Sequence, residues 1–129
     1  AEDSGLEIDA LDGAPGVLSG RFTGGSYQEK FDTINSMLDE RGADGSRARF
    51  VCALAVADGR QVVFETTGII AGQLAREPKG NGGFGYDPIF FYPPFERTLA
   101  ELSAEEKSSV SHRGQAFRVL RQYLESKLP

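Results

Sequence analysis

The chain has 129 residues and a mass of 14.0 kDa, the size of one domain that removes roughly two thirds of its unfolded surface from water. A formal charge of −5 and a pI near 4.9 argue against nonspecific binding to nucleic acid or to an anionic membrane, since both need basic surface. The apolar runs fall short of a membrane span, no charged-then-apolar leader opens the chain, and Cys52 is the only cysteine, so the expectation is a soluble, intracellular, cytoplasmic chain without an internal disulfide.

Residues 1 to 10 start in strand-like alternation, with Leu6 and Ile8 on one side and Glu7 and Asp9 on the other. Asp12-Gly13-Ala14-Pro15-Gly16 breaks that pattern. Ser26-Tyr27-Gln28-Glu29 reads as a capping box, and Tyr27, Phe31, Ile34 and Leu38 follow as one apolar stripe at helical spacing. Gly42 suits the left-handed residue that closes such a helix. Phe50 to Ala57 is nearly continuous in apolar residues, Asp58-Gly59 is a two-residue hairpin turn, and Gln61 to Ile70 resumes with Val62, Val63, Phe64, Ile69 and Ile70. This predicts a central hairpin whose first strand is buried on both faces, with Cys52 a buried thiol. Gly68 and Gly72 are expected to weaken or bend the returning strand.

The segment Lys79-Gly80-Asn81-Gly82-Gly83-Phe84-Gly85-Tyr86-Asp87-Pro88 packs four glycines into six positions and then sets an aromatic, a carboxylate and a proline. Two readings stand side by side: a glycine-rich turn before the buried strand Ile89-Phe90-Phe91, or a loop whose N–H groups converge on a ligand. Pro88 is expected to hold Asp87 in an extended backbone. Tyr92-Pro93-Pro94-Phe95 ends the following strand.

Ser103-Ala104-Glu105-Glu106 is a second capping box, opening a short helix that carries Lys107. The last helix starts after Ser111, with Phe117, Leu120, Leu124 and Leu128 as its buried stripe and with His112 and Arg113 in its first turn. Helix dipoles disfavour cations at that end, so the pair points to a ligand supplying negative charge or acceptor atoms; a solvated Arg beside a capping Ser is the plainer alternative. The order of elements predicts one α/β domain over residues 1–129. Its sheet is expected to be mixed, mostly antiparallel and twisted, with helices on its faces and a site in a cleft between loops.

Three segments, Asp3-Ser4-Gly5-Leu6, Gly82-Gly83-Phe84-Gly85-Tyr86-Asp87-Pro88 and Lys107 through Ser111-His112-Arg113-Gly114, together resemble the inosine triphosphate pyrophosphatase family, the Ham1-like nucleoside triphosphate diphosphatases. The resemblance implies cleavage of deaminated purine nucleoside triphosphates (ITP, dITP, XTP) to the monophosphate and pyrophosphate, by a homodimer. Such chemistry calls for magnesium held by hard oxygen ligands. Glu2 and Asp3 point to opposite sides of a strand, and the resemblance selects Asp3 as metal ligand or base and Ser4 as a substrate contact. Arg113, His112 and Lys107 are candidate donors to the keto oxygen of the base, and Phe84 is a candidate stacking plate. Asp87 would accept from the ring N–H that 6-oxo purines possess, or else cap loop N–H groups; Gly85 and Tyr86 belong to the same contact segment, Tyr86 with packing as its alternative.

The family pattern also includes an earlier strand, a Ser/Thr-x-Asn-x-x-Lys phosphate loop and a further acidic metal ligand, whereas this chain opens at Ala1, corresponding to the central and C-terminal part of an N-terminally truncated family fold. Weaker triphosphate binding and a poorer magnesium site are the expectation. The alternative is a catalytically weak or inactive relative acting as a nucleotide-binding or oligomeric interaction protein.

Overall fold

Alternation along the first strand sets the architecture. A computed structural model describes residues 1–16, 19 and 25–127. Strand β1 (Glu2–Ile8) buries Leu6 and Ile8 completely. After a 3₁₀ turn at Asp9–Leu11 the chain returns as β2 (Pro15–Gly16) against Leu6 and Glu7. Helix α1 (Tyr27–Glu40) is capped by Ser26, whose hydroxyl accepts from the Glu29 N–H at 3.2 Å. Phe31, Ile34 and Leu38 are buried as the stripe requires, and Gly42 follows at φ 67. Tyr27, the first member of that stripe, is exposed.

The central hairpin is β3 (Arg47–Asp58) and β4 (Gln61–Leu74). Asp58 pairs with Gln61, so Gly59-Arg60 forms the turn, one residue later than expected, with Gly59 at φ 64. Burial on both faces of β3 does not hold. Ala48, Phe50, Cys52 and Leu54 are buried, while Arg47, Arg49 and Ala53 on the other face are exposed. The reason is that α1 and α3 both cover the same face: Phe50 packs in the main core with Phe31 and Ile34, and Cys52 and Leu54 pack against Ala116. Burial raises the Cys52 thiol pKa, as an unreactive core thiol requires.

Beyond the hairpin come β5 (Phe90–Tyr92) and β6 (Arg97–Thr98), giving the strand order β2-β1-β3-β4-β5-β6. All five pairings are antiparallel. Neither glycine interrupts β4. A Cβ at Gly68 would lie 2.0 Å from the His112 carbonyl oxygen, and one at Gly72 would lie 2.5 Å from that of Phe91, so these positions permit close approach instead of bending the strand.

Helix α2 (Ala104–Val110) has the full capping box: Ser103 accepts from the Glu106 N–H, and Glu106 accepts from the Ser103 N–H, each at 3.0 Å. Helix α3 (His112–Ser126) starts at Ser111, which accepts from the Gly114 N–H at 2.9 Å. The expected buried stripe of α3 is wrong. Phe117 and Leu124 are exposed and Leu120 is half-buried, while His112 and Ala116 are the buried positions; Leu128 lies outside the described residues. The helix meets β4 at Gly68, which turns the His112–Ala116 side inward and leaves the leucines at the surface. Among the described residues no helix is long and apolar enough to cross a membrane.

Candidate active site

The glycine-rich loop is shaped by close packing. A Cβ at Gly80 would sit 2.5 Å from the Ala100 carbonyl carbon, and one at Gly82 would sit 2.9 Å from the Ala100 oxygen. Gly82 N–H donates to Ala100 O at 2.8 Å, Lys79 N–H to Pro88 O at 2.9 Å, and the Thr98 hydroxyl to Lys79 O at 2.7 Å. The Lys79–Pro88 bond closes the loop on itself and the other two staple it to the segment before α2, so the Lys79 and Gly82 N–H groups are unavailable to an anion.

Asp87 does not take the extended backbone expected ahead of Pro88. It opens a 3₁₀ turn (Asp87–Ile89) closed by the Phe90 N–H on its own carbonyl, with Pro88 early in the turn, where a missing N–H costs nothing. Its buried carboxylate accepts the Phe84 N–H at 3.0 Å and pairs with the Lys107 ammonium through the same oxygen, Oδ2. Among the described residues Oδ1 has no hydrogen-bond partner. Lys107 Nζ also sits 4.1 Å from the centre of the exposed Phe84 ring. Donor, acceptor and ring face therefore form one unit, delivered by the loop and α2.

Tyr86 packs inward, edge-on to Tyr27 at 5.2 Å, and donates its hydroxyl to the Ser19 carbonyl at 2.5 Å. Burial pushes its pKa up to about 12, so it stays a neutral donor. His112 is not the cation that the sequence suggested. Its ring stacks on Phe50 at 4.9 Å, and burial, with Lys107 and Arg113 close by, pulls its pKa down to about 4. Its buried Nδ1 has no partner among the described residues. Arg113 is charged and forked onto Glu2, with Nε to Oε1 and Nη2 to Oε2 both at 3.0 Å.

All these groups border one cavity of about 710 Å³, a volume suited to a small molecule. Ser4, Phe84, Gly85, Tyr86, Asp87, Lys107, His112 and Arg113 line it. Asp3 does not. Residues 2, 4, 6 and 8 share a side of β1, so Glu2 and Ser4 face the cavity with the buried Leu6, while exposed Asp3 belongs to the opposite side. Parity with Leu6 and Ile8 was the signal that would have identified Glu2 in the sequence. Tyr27 and Phe50 also line the cavity; their membership in apolar patterns hid them. Among the described residues no three His, Cys, Asp or Glu side chains gather in a way that would hold a metal ion.

The profile of the Ham1 family matches residues 1–123. A dITP/XTP pyrophosphatase of Exiguobacterium sibiricum is 47% identical over 125 residues, taking in 93% of this chain and 62% of its own length. One from Desulforamulus reducens is 47% identical over 123 residues, with 92% of this chain and 60% of its own length covered. Among solved structures, a HAM1 protein from Coxiella burnetii superposes with a TM-score of 0.91 at 39% identity, over 98% of this chain and 66% of that one. The Staphylococcus aureus Ham1 protein gives 0.87 at 36% identity, over 99% of this chain and 67% of that one. The chain thus spans less than two thirds of the length of these curated relatives.

Proposed function

Because the chain belongs to the Ham1 family, we propose that it takes part in the hydrolysis of deaminated purine nucleoside triphosphates such as dITP and XTP to the monophosphate and pyrophosphate. The observation that carries this reading is the side-by-side pairing of Lys107 and Asp87 beneath Phe84 at the cavity wall. A 6-oxo purine presents an acceptor oxygen next to a ring N–H donor, and the lysine and the unpaired Asp87 Oδ1 match that order. Adenine presents the reverse, a donor next to an acceptor, and leaves both protein groups unsatisfied.

Asp3 is the residue proposed for the reacting end. Its carboxylate carries no hydrogen bond or ion pair among the described residues. Magnesium needs only one or two carboxylates when water and phosphate oxygens complete its shell, and Asp3 is the residue that would supply one of them. When bound, the ion would supply charge neutralisation for the departing pyrophosphate. Asp3 would hold the ion or take a proton from the water that attacks phosphorus. Between Glu2 and Ser4, β1 pairs with β3 on one side and has no strand on the other among the described residues. The reading extends to a cytoplasmic homodimer, supported by the apolar side chains that α3 leaves exposed.

The test is pyrophosphate release from dITP and from dATP with magnesium. Turnover of dITP well above dATP, lost in Asp3→Asn, is the expected result. Selective dITP binding without turnover in the unaltered chain would instead favour a nucleotide-binding role.

A further inference from the structure

Arg113 borders the cavity with its guanidinium held by a carboxylate from the far end of the chain, 111 positions away in the sequence. We propose that Glu2 is a positioning residue that tunes Arg113 for an uncharged keto group and keeps it from capturing phosphate; the inference rests on the base-selective reading above. Three observations carry it. The two contacts at 3.0 Å make a fork-to-fork pair, which fixes the guanidinium plane as well as its distance. The root of the arginine is equally fixed, because α3 presses its His112 carbonyl against Gly68 where no Cβ would fit. The Phe117 ring lies 5.9 Å from the guanidinium carbon and backs it from the next turn of the helix.

An arginine has five N–H donors, and Glu2 occupies one on Nε and one on Nη2, so three remain for a ligand. The pair as a whole is electrically neutral. A neutral donor array hydrogen-bonds a keto oxygen well and attracts a polyanion poorly, since the carboxylate 3.0 Å away offsets the pull of the arginine at longer range. A bare arginine in the same place would compete for the triphosphate and draw nucleotides in with the wrong end leading, whatever their base. Glu2 thus separates base recognition from phosphate binding along one cavity. Neighbouring Ser4 donates to Glu2 Oε1 at 3.4 Å and adds little to this hold.

The test is equilibrium binding of dITP, dATP and inorganic tripolyphosphate to the full chain and to Glu2→Gln, Arg113→Ala and the double variant. The glutamine keeps the shape of the side chain but removes the charge. We expect Glu2→Gln to lower the dITP to dATP affinity ratio about ten-fold and to tighten tripolyphosphate binding, with the melting temperature nearly unchanged. In the Arg113→Ala background the same substitution should do neither, because Glu2 acts through the arginine. A Glu2→Gln chain with the original ratio and the original tripolyphosphate affinity overturns the inference. The same effect with Arg113 absent also overturns it. An unaltered chain that binds dITP no better than dATP removes the base-selective reading itself, and with it the inference.

Discussion

Proton binding at His112 is coupled to folding, because a ring stacked on Phe50 and flanked by Lys107 and Arg113 is held neutral. Its pKa falls from 6.5 to about 4 in the fold, so between those values the unfolded chain binds the extra proton. Its contribution is constant above pH 6.5, declines as the pH drops from 6.5 towards 4, and levels off below that, for a total of about 3 kcal/mol. Urea unfolding at pH 7, 5.5 and 4 measures this slope. His112→Phe, which keeps a ring against Phe50, should flatten it; an unchanged slope would assign acid sensitivity to other groups. Gly83 tests the neighbouring pair. It sits at φ 66, and an added Cβ would lie 2.1 Å from Asp87 Oδ2 and 3.2 Å from Lys107 Nζ. Gly42 sits at φ 67 with open space around it. Alanine at Gly42 should therefore cost only the left-handed backbone term, about 1 kcal/mol. Alanine at Gly83 should cost about 1 kcal/mol more, because it displaces the Asp87 carboxylate from the Phe84 N–H, and should weaken dITP binding as well. Equal losses in a denaturant titration, with dITP affinity intact, would mean that the Asp87 carboxylate moves aside freely.

At the scale of elements, the placement of α3 depends on a residue that makes no side-chain contact. Gly68 lets the His112 carbonyl and the Ala116 N–H rest on β4, with an added Cβ at 2.0 and 2.9 Å respectively. Both obstacles are backbone, so Gly68→Ala cannot be absorbed by a rotamer change. It should cost roughly 2 to 3 kcal/mol and shift the helix start that carries His112 and Arg113, lowering dITP affinity along with stability. Full nucleotide affinity in a destabilised Gly68→Ala chain would show that the helix start stays in place while strain goes elsewhere. This dependence also marks the limit of what the sequence displayed. Capping serines at Ser26, Ser103 and Ser111 announced three helices because caps are local. Leu6 and Ile8 announced the buried side of β1 because alternation is local too. Gly68 read as a weak point in a strand, since the atoms it accommodates lie more than forty residues away. Phe117 and Leu124 followed a helical stripe, yet which stripe is buried depends on how the helix meets its neighbour. The neutral state of His112 was equally hidden, because a first-turn histidine looks cationic until Phe50 is found beneath it.

For the whole molecule, α3 carries an apolar strip at Phe117, Leu120 and Leu124, in which Phe117 and Leu124 are exposed while half-buried Leu120 packs against the core. Leu124 is 50% exposed and does not border the 710 Å³ cavity, so it reports on association without touching that cavity. The formal charge of −5 opposes contact between copies. Self-association through this strip should therefore strengthen as salt screens the repulsion, opposite to the behaviour of a contact made of ion pairs. Burying the exposed half of a leucine is worth about 1 to 1.5 kcal/mol, which converts to roughly a ten-fold change in a dissociation constant. Sedimentation velocity over a range of concentrations should show a monomer–dimer equilibrium that tightens with salt. Leu124→Glu should shift that equilibrium at least ten-fold towards monomer while dITP affinity is retained. A chain that sediments as a monomer throughout, or a Leu124→Glu variant that dimerises as well as the original, would place any contact between copies elsewhere, with the exposed side of the sheet around Ile69 and Val63 the next surface to alter.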